Sequence, residues 1–249
     1  MLMDIKQFLD ATYLKTATQA GLDEAAHKQL VLDFILDTIK GQFKCVMIRP
    51  DFVALAKQEI VKQKSNVVVG TVISFPDGAD TTEQKLSEAQ KAISDGADEL
   101  DFVIDYIAFK NNKVDYVKEQ VLEATKLAIA NQKVVKWIIE TAALTPAEII
   151  KISALIKNVV MKHFDEKVYD KVFVKSSTGF FKTEPGVPNG ATKEAIVLMI
   201  ENASPLPIKA SGGVRTLQEA ISMIQLGVKR IGTSSAEAIS KDWESKSDY

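Results

Sequence analysis

Short runs rich in β-branched residues alternate along the chain with longer stretches in which apolar side chains recur every three or four positions. The runs cover 44–48, 66–73, 99–103, 134–140, 172–175, 206–209 and 230–232, and a weaker one covers 8–14. Such runs read as strands, and their alternation with helical patterns reads as βα units on a parallel sheet. Thr81-x-x-Gln84, Thr145-Pro-Ala-Glu148 and Thr216-x-x-Glu219 each read as a capping box, which fixes three helix starts. After the last of these, Leu217, Ala220, Ile221 and Ile224 form one apolar stripe to lie on the sheet. No low-complexity linker divides the set. The expectation is one α/β domain over residues 1–249, a (β/α)8 TIM barrel, with a polar and mobile tail from about 241 to 249. A doubly wound open sheet shares the alternation, but no Gly-x-Gly-x-x-Gly follows an early strand and no Walker loop is present, which favours the barrel.

Composition narrows the function classes. With 249 residues and 46% hydrophobic content the chain can bury one large core. A formal net charge of -2 gives no long-range attraction to nucleic acid or to an anionic membrane. No apolar stretch approaches the roughly 20 residues of a membrane-spanning helix. The single cysteine, Cys45, excludes an intramolecular disulfide, and the N-terminus lacks the basic and apolar regions of a signal peptide, so a cytoplasmic location is expected. His27 and His163 are the only histidines, and both fall on expected helices. A His-rich zinc site and a Ser-His-Asp mechanism therefore lack support, and no metal is expected.

Candidate chemistry lies in the strand lysines. Lys175 and Lys209 stand in apolar strands just before glycine-containing loops, where a charge costs several kcal/mol unless compensated. Such an amine suits imine formation with a carbonyl. A free lysine, with a pKa of about 10.4, is neutral in only about one molecule in 2500 at pH 7. A second ammonium nearby together with partial desolvation can lower that value by roughly 3 units. Lys136 is a third strand lysine, and Asp101 places a carboxylate toward the end of the fourth strand, where it could relay protons. A structural ion-pair network is the other reading of these two residues.

Ser211-Gly-Gly-Val-Arg-Thr216 follows the seventh strand and Gly232-Thr-Ser-Ser235 the eighth. Late barrel loops commonly hold phosphate. Gly212 and Gly213 let backbone N–H groups approach an anion, and Ser234 and Ser235 at a helix start add donors under a favourable dipole. Taken singly, the glycines would also suit a tight turn and the serines an N-cap.

These segments, with Lys-Ser-Ser-Thr-Gly at 175–179 and Gly-Ala-Asp-Glu-Leu-Asp at 96–101, resemble the 2-deoxyribose-5-phosphate aldolase family. Leu9-Asp-Ala-Thr12, the segment 71–78, Ile138-Ile-Glu-Thr141 and the segment 230–235 extend the resemblance over nearly the whole chain. It implies Lys175 as the Schiff-base lysine, Lys209 as the neighbour that tunes it and Asp101 as the proton-relay acid. Lys136, Asp10 and Thr12 are supporting candidates, as is Tyr249, whose phenol could reach the barrel mouth from the tail. Gly179, Gly212, Gly213, Gly232, Ser234 and Ser235 match the phosphate-contacting loops. The implied reaction is reversible cleavage of 2-deoxyribose 5-phosphate to glyceraldehyde 3-phosphate and acetaldehyde in deoxyribonucleoside catabolism. No metal or organic cofactor is implied, the partners are the sugar phosphate and acetaldehyde, and family members are often homodimers.

Three features depart from the family. Ser176 replaces the usual threonine, the loop at 180–190 is longer than usual, and Met47 stands where many relatives have cysteine. Two other readings keep part of the pattern: another imine-forming aldolase or transaldolase acting on a different sugar phosphate, and a phosphate-binding barrel without catalysis.

Overall fold

A computed structural model describes residues 4–247 as eight parallel strands that neighbour one another in chain order and close into a barrel. The strands are β1 (Leu9–Thr12), β2 (Cys45–Ile48), β3 (Val68–Ile73), β4 (Glu99–Val103), β5 (Val134–Ile138), β6 (Val172–Lys175), β7 (Ile208–Ser211) and β8 (Arg230–Thr233). Helices α1 (Ala17–Ala20) and α2 (Glu24–Gly41) follow β1, α3 (Val53–Lys62) follows β2 and α4 (Thr82–Ser94) follows β3. Then come α5 (Tyr106–Lys110) and α6 (Val114–Ala130), α7 (Pro146–His163), α8 (Lys193–Ala203), α9 (Leu217–Leu226) and α10 (Ala236–Ser247) after the five remaining strands. Pairing of Leu9, Asp10 and Ala11 with Ile231, Gly232 and Thr233 closes the barrel and excludes the open sheet.

Local chemistry sets the strand ends. Pro207 has no N–H to give a ladder, so β7 begins at Ile208 rather than 206, and it continues to Ser211. The expected run 134–140 ends early, at Ile138, and Glu140 just beyond it takes a left-handed φ of 56°. All three anticipated capping boxes form, and Thr16 with Gln19 makes a fourth on α1. The segment expected as a tail from 241 is helical as far as Ser247, and Tyr249 lies outside the described residues. Among the described residues no helix is long and apolar enough to cross a membrane.

The apolar core lies between barrel and helices. Leu100 and Phe102 of β4, Val135 and Trp137 of β5, and Val172 and Val174 of β6 join Val117 and Val121 of α6 and Ile152 and Ile156 of α7 in one buried cluster. Phe102 stacks on Trp137 with ring centroids 5.2 Å apart. The Trp137 indole N–H donates to Thr125 Oγ1 at 3.1 Å, so this buried ring keeps its polar atom satisfied. Each such side chain stabilises the fold by about 1.5–3 kcal/mol relative to exposure. The barrel interior is thereby released from carrying stability and can hold charge.

The capping box of α9 gives a direct check, because Thr216 Oγ1 accepts from the Glu219 N–H at 3.3 Å and Glu219 Oε2 accepts from the Thr216 N–H at 2.9 Å. Thr216→Ala should lower unfolding stability by about 1 kcal/mol, read as a shift in urea midpoint at unchanged slope.

Candidate active site

Alternation along each strand decides which side chains enter the barrel. While Leu100 and Phe102 face the helices, Glu99 and Asp101 face inward, and on β5 Lys136 does the same between Val135 and Trp137. Lys175 ends β6 and lies in register with Lys209 of β7, which in turn pairs with Arg230 of β8. Strand pairing therefore gathers charges that are far apart in sequence.

The result is a continuous network. Lys175 Nζ donates to Asp101 Oδ2 at 2.9 Å, and Lys209 Nζ donates to the same oxygen at 2.8 Å. Lys209 also lies 2.6 Å from Asp10 Oδ2. Lys136 Nζ bridges Asp101 Oδ1 at 2.7 Å and Glu99 Oε2 at 2.6 Å. The Arg230 guanidinium closes the chain, donating to Asp10 Oδ1 at 2.7 Å and to both Glu99 oxygens at 2.9 and 2.8 Å. All seven side chains are buried. The other side of the interior is apolar, with Leu14, Cys45, Met47 and Val72 in one cluster and Phe75 and Phe180 packed on it.

Electrostatics separates the lysines. Burial pushes the Lys175 ammonium down; Asp101 works against this by holding the proton, while Lys209 and Lys136 add to it, and the pKa settles at about 8. Burial is thus the larger cause and the second ammonium the smaller one, the reverse of the emphasis suggested by sequence. Burial also opposes the charge on Lys136, but Asp101 and Glu99 outweigh it and hold the ammonium above its ordinary range. For Asp101 the burial penalty is overcome by Lys136, Lys175 and Lys209, which keep the carboxyl well below the usual carboxylate range. Cys45 is buried and its thiol is pushed up by burial and by Asp10 and Glu99. Asp10, Cys45 and Glu99 offer ligand atoms within 4.8 Å of one another, but Arg230 already lies on both carboxylates.

Above Lys175 the chain turns through Ser176, Ser177 and Thr178, and each hydroxyl is used. Ser176 Oγ donates to the Ser211 carbonyl at 2.7 Å and accepts the Ser211 N–H at 2.9 Å, so serine at this position still ties β6 to β7. Glu140, with its left-handed backbone, is buried and accepts from Ser177 Oγ at 2.7 Å, Thr178 N–H at 3.1 Å and Thr178 Oγ1 at 2.5 Å. Ser177 Oγ and Thr178 Oγ1 then accept the N–H groups of Gly179 and Phe180. Gly190 lies against Gly212 so closely that an added Cβ would come within 2.7 Å of its backbone. The 180–190 loop is therefore anchored at both ends. Within it, Phe180 meets Phe75 edge to face at 5.0 Å, with the Arg49 guanidinium 4.9 Å from the Phe75 ring centre.

The chain matches the DeoC/LacD aldolase family over residues 17–239. It is 41% identical over 238 residues to a deoxyribose-phosphate aldolase of Thermococcus gammatolerans, covering 95% of each sequence. Among solved structures, an aldolase called QR15 superposes with a TM-score of 0.82 at 32% identity, covering 99% of this chain and 98% of that one. A tetrameric deoxyribose phosphate aldolase from Aeropyrum pernix superposes with a TM-score of 0.76 at 25% identity over 97% of this chain and 92% of that one. This chain belongs to the DeoC/LacD family of aldolases.

In this aldolase Lys175, Lys209, Asp101, Lys136 and Asp10 come together as one cluster. Asp101 sits mid-strand rather than toward the end of β4. Thr12 ends β1, and its hydroxyl donates to the Asp10 carbonyl at 2.8 Å. Gly179 lies near Gly212, and Gly212 and Gly213 both have left-handed φ, 88° and 87°, which favours glycine irrespective of any ligand. Gly232 is inside the barrel wall, where an added Cβ would press on Lys209 Cε at 3.1 Å. Ser234 is exposed, Ser235 immediately precedes α10, and Thr233 Oγ1 donates to the Val214 carbonyl to join the two late loops.

Sequence reading missed Glu99, Arg230 and Glu140 as members of the site. Glu99 and Arg230 carried a signal, since each is a charge in an apolar strand, as Lys175 is; Glu140 closed an expected apolar run and stood in a resemblance motif, but its partners lie in a turn 37 residues away. If Glu140 fixes that turn, Glu140→Ala should speed amide hydrogen exchange at Gly179 and Phe180 at least tenfold while exchange in β4 stays unchanged. Equal rates in the two proteins would show that the turn holds without it.

Proposed function

We propose that this aldolase reversibly cleaves 2-deoxy-D-ribose 5-phosphate to D-glyceraldehyde 3-phosphate and acetaldehyde through an imine on Lys175. The observation that carries the reading is a buried amine at the C-terminal end of a barrel strand with its pKa at about 8. At pH 7 about one such amine in ten is neutral, against about one in 2500 for a free lysine. The neutral Nζ attacks the C1 carbonyl of the open-chain sugar, a C–N bond forms and water leaves. The resulting iminium accepts the electron pair of the C2–C3 bond as that bond breaks. The C3 hydroxyl gives up its proton and leaves as the aldehyde of glyceraldehyde 3-phosphate. The enamine that remains is protonated on carbon and hydrolysed to acetaldehyde.

Asp101 and Lys209 flank the reacting nitrogen, and in this reading Asp101 moves protons through a bound water or substrate hydroxyl. Lys136 and Asp10 hold those two in place. The phosphate is assigned to the edge made by Gly179, Gly212 and Gly213, with Ser234 and Ser235 at the start of α10 supplying further donors; Gly232 serves by leaving room for Lys209. Self-association into a homodimer belongs to the same proposal, and sedimentation velocity would separate it from the tetramer seen for the Aeropyrum pernix relative.

Borohydride reduction during turnover of deoxyribose 5-phosphate should leave one adduct, on Lys175, and Lys175→Met should abolish both adduct and cleavage. An adduct on Lys209 would overturn the assignment. The trapping rate should fall about tenfold per pH unit below about pH 7 and level off above about pH 9, because only the neutral amine attacks.

A further inference from the structure

Among the described residues the barrel interior contains four cations, Lys136, Lys175, Lys209 and Arg230, and three carboxylates, Asp10, Glu99 and Asp101. With all four bases protonated and all three carboxylates ionised, the cluster carries one positive charge in excess, and it becomes neutral when one cation gives up a proton. Geometry says which one. Lys136 contacts Glu99 and Asp101, Lys209 contacts Asp10 and Asp101, and Arg230 contacts Asp10 and Glu99. Among the described residues Lys175 contacts Asp101 alone, through an oxygen it shares with Lys209.

We propose that Glu99 and Arg230, neither of which touches Lys175, are positioning residues that set the proton count of the cluster and so make Lys175 the amine that is released as a nucleophile. The inference rests on Lys175 being the nucleophile. Arg230 occupies Glu99 and Asp10, which limits how strongly those carboxylates can draw Lys136 and Lys209 away from Asp101. Both lysines therefore stay on Asp101 and compete with Lys175 for it. The groups facing Lys175 are Asp101 from β4, Lys136 from β5 and Lys209 from β7, with Asp10, Glu99 and Arg230 one contact further. Glu140 at the mouth is engaged by Ser177 and Thr178, and Cys45 is held as the thiol.

The two residues should act with opposite sign. Glu99→Gln removes a carboxylate, so Lys136 turns fully to Asp101 and the cluster gains positive charge; the proton on Lys175 becomes easier to lose. Arg230→Gln frees Glu99 and Asp10 to draw Lys136 and Lys209 off Asp101, and Lys175 then keeps its proton to higher pH. The experiment is the pH dependence of borohydride trapping with acetaldehyde alone, on protein shown to be folded by circular dichroism, with the adduct site identified by mass spectrometry. The acid limb should move down by roughly 0.5–1 pH unit in Glu99→Gln and up by a similar amount in Arg230→Gln. The double variant, which removes one charge of each sign, should return to within about 0.3 unit of the parent. If Arg230→Gln does not fold, Glu99→Gln and the double variant decide. A limb that stays put or moves up in Glu99→Gln, or a double variant shifted as far as either single one, would overturn the proposal. An adduct away from Lys175 in the parent would instead overturn the assignment of the nucleophile, so the two failures are distinguishable.

Discussion

Burying seven ionisable side chains inside a β-barrel is the constraint around which the rest of this structure is arranged. Each of these charges alone would cost several kcal/mol to desolvate, and ion pairing offsets that cost only when geometry is good and the remaining polar atoms are satisfied. Here the parallel register supplies the geometry, because side-by-side positions on neighbouring strands bring Asp101 to Lys136, Lys175 to Lys209 and Lys209 to Arg230. Breaking one member would strand its partners. In the proposed reading the cluster holds one amine in a defined electrostatic state, and as a set of buried ion pairs it is not a source of stability.

Stability comes from elsewhere, and the division is spatial. Alternate residues of the same strands face the helices and build an apolar layer with stacked Phe102 and Trp137 within it. The period of two lets one short strand such as β4 supply Leu100 and Phe102 to that layer and Glu99 and Asp101 to the site. A slip of one residue would exchange the two sets and put the carboxylates among the helices. Fold and chemistry are therefore specified by the same alternation.

The mouth of the barrel extends the same logic to backbone groups. Beyond Ser176 the turn after Lys175 leaves the strand ladder, so Glu140, Ser177 and Thr178 accept its backbone N–H groups, the Ser176 hydroxyl ties it to Ser211 and Gly190 packs on Gly212. Glu140 adopts a left-handed φ to reach that turn. Strained backbone of this kind persists where surrounding contacts over-determine it.

Much of this was legible in the sequence, because it depends on local patterns. The alternation of strands and helices, the threonine-led capping boxes and the lysines placed in apolar strands are properties of segments a few residues long. They led to the barrel and to Lys175, Lys209 and Asp101 as candidates, while the ranking of the two lysines came from resemblance. Strand limits at Pro207 and Glu140 were less accurate, since a proline without an N–H and a left-handed residue act at a single position. What only the tertiary structure decided was which charges touch. Asp10 and Arg230 are 220 residues apart and Glu99 and Arg230 are 131 apart, yet closure of the barrel places them within hydrogen-bonding distance. Sequence fixes the residues that a strand can offer to the interior, but the share of a common carboxylate that each lysine receives depends on barrel closure and on burial, and neither is a property of any one segment.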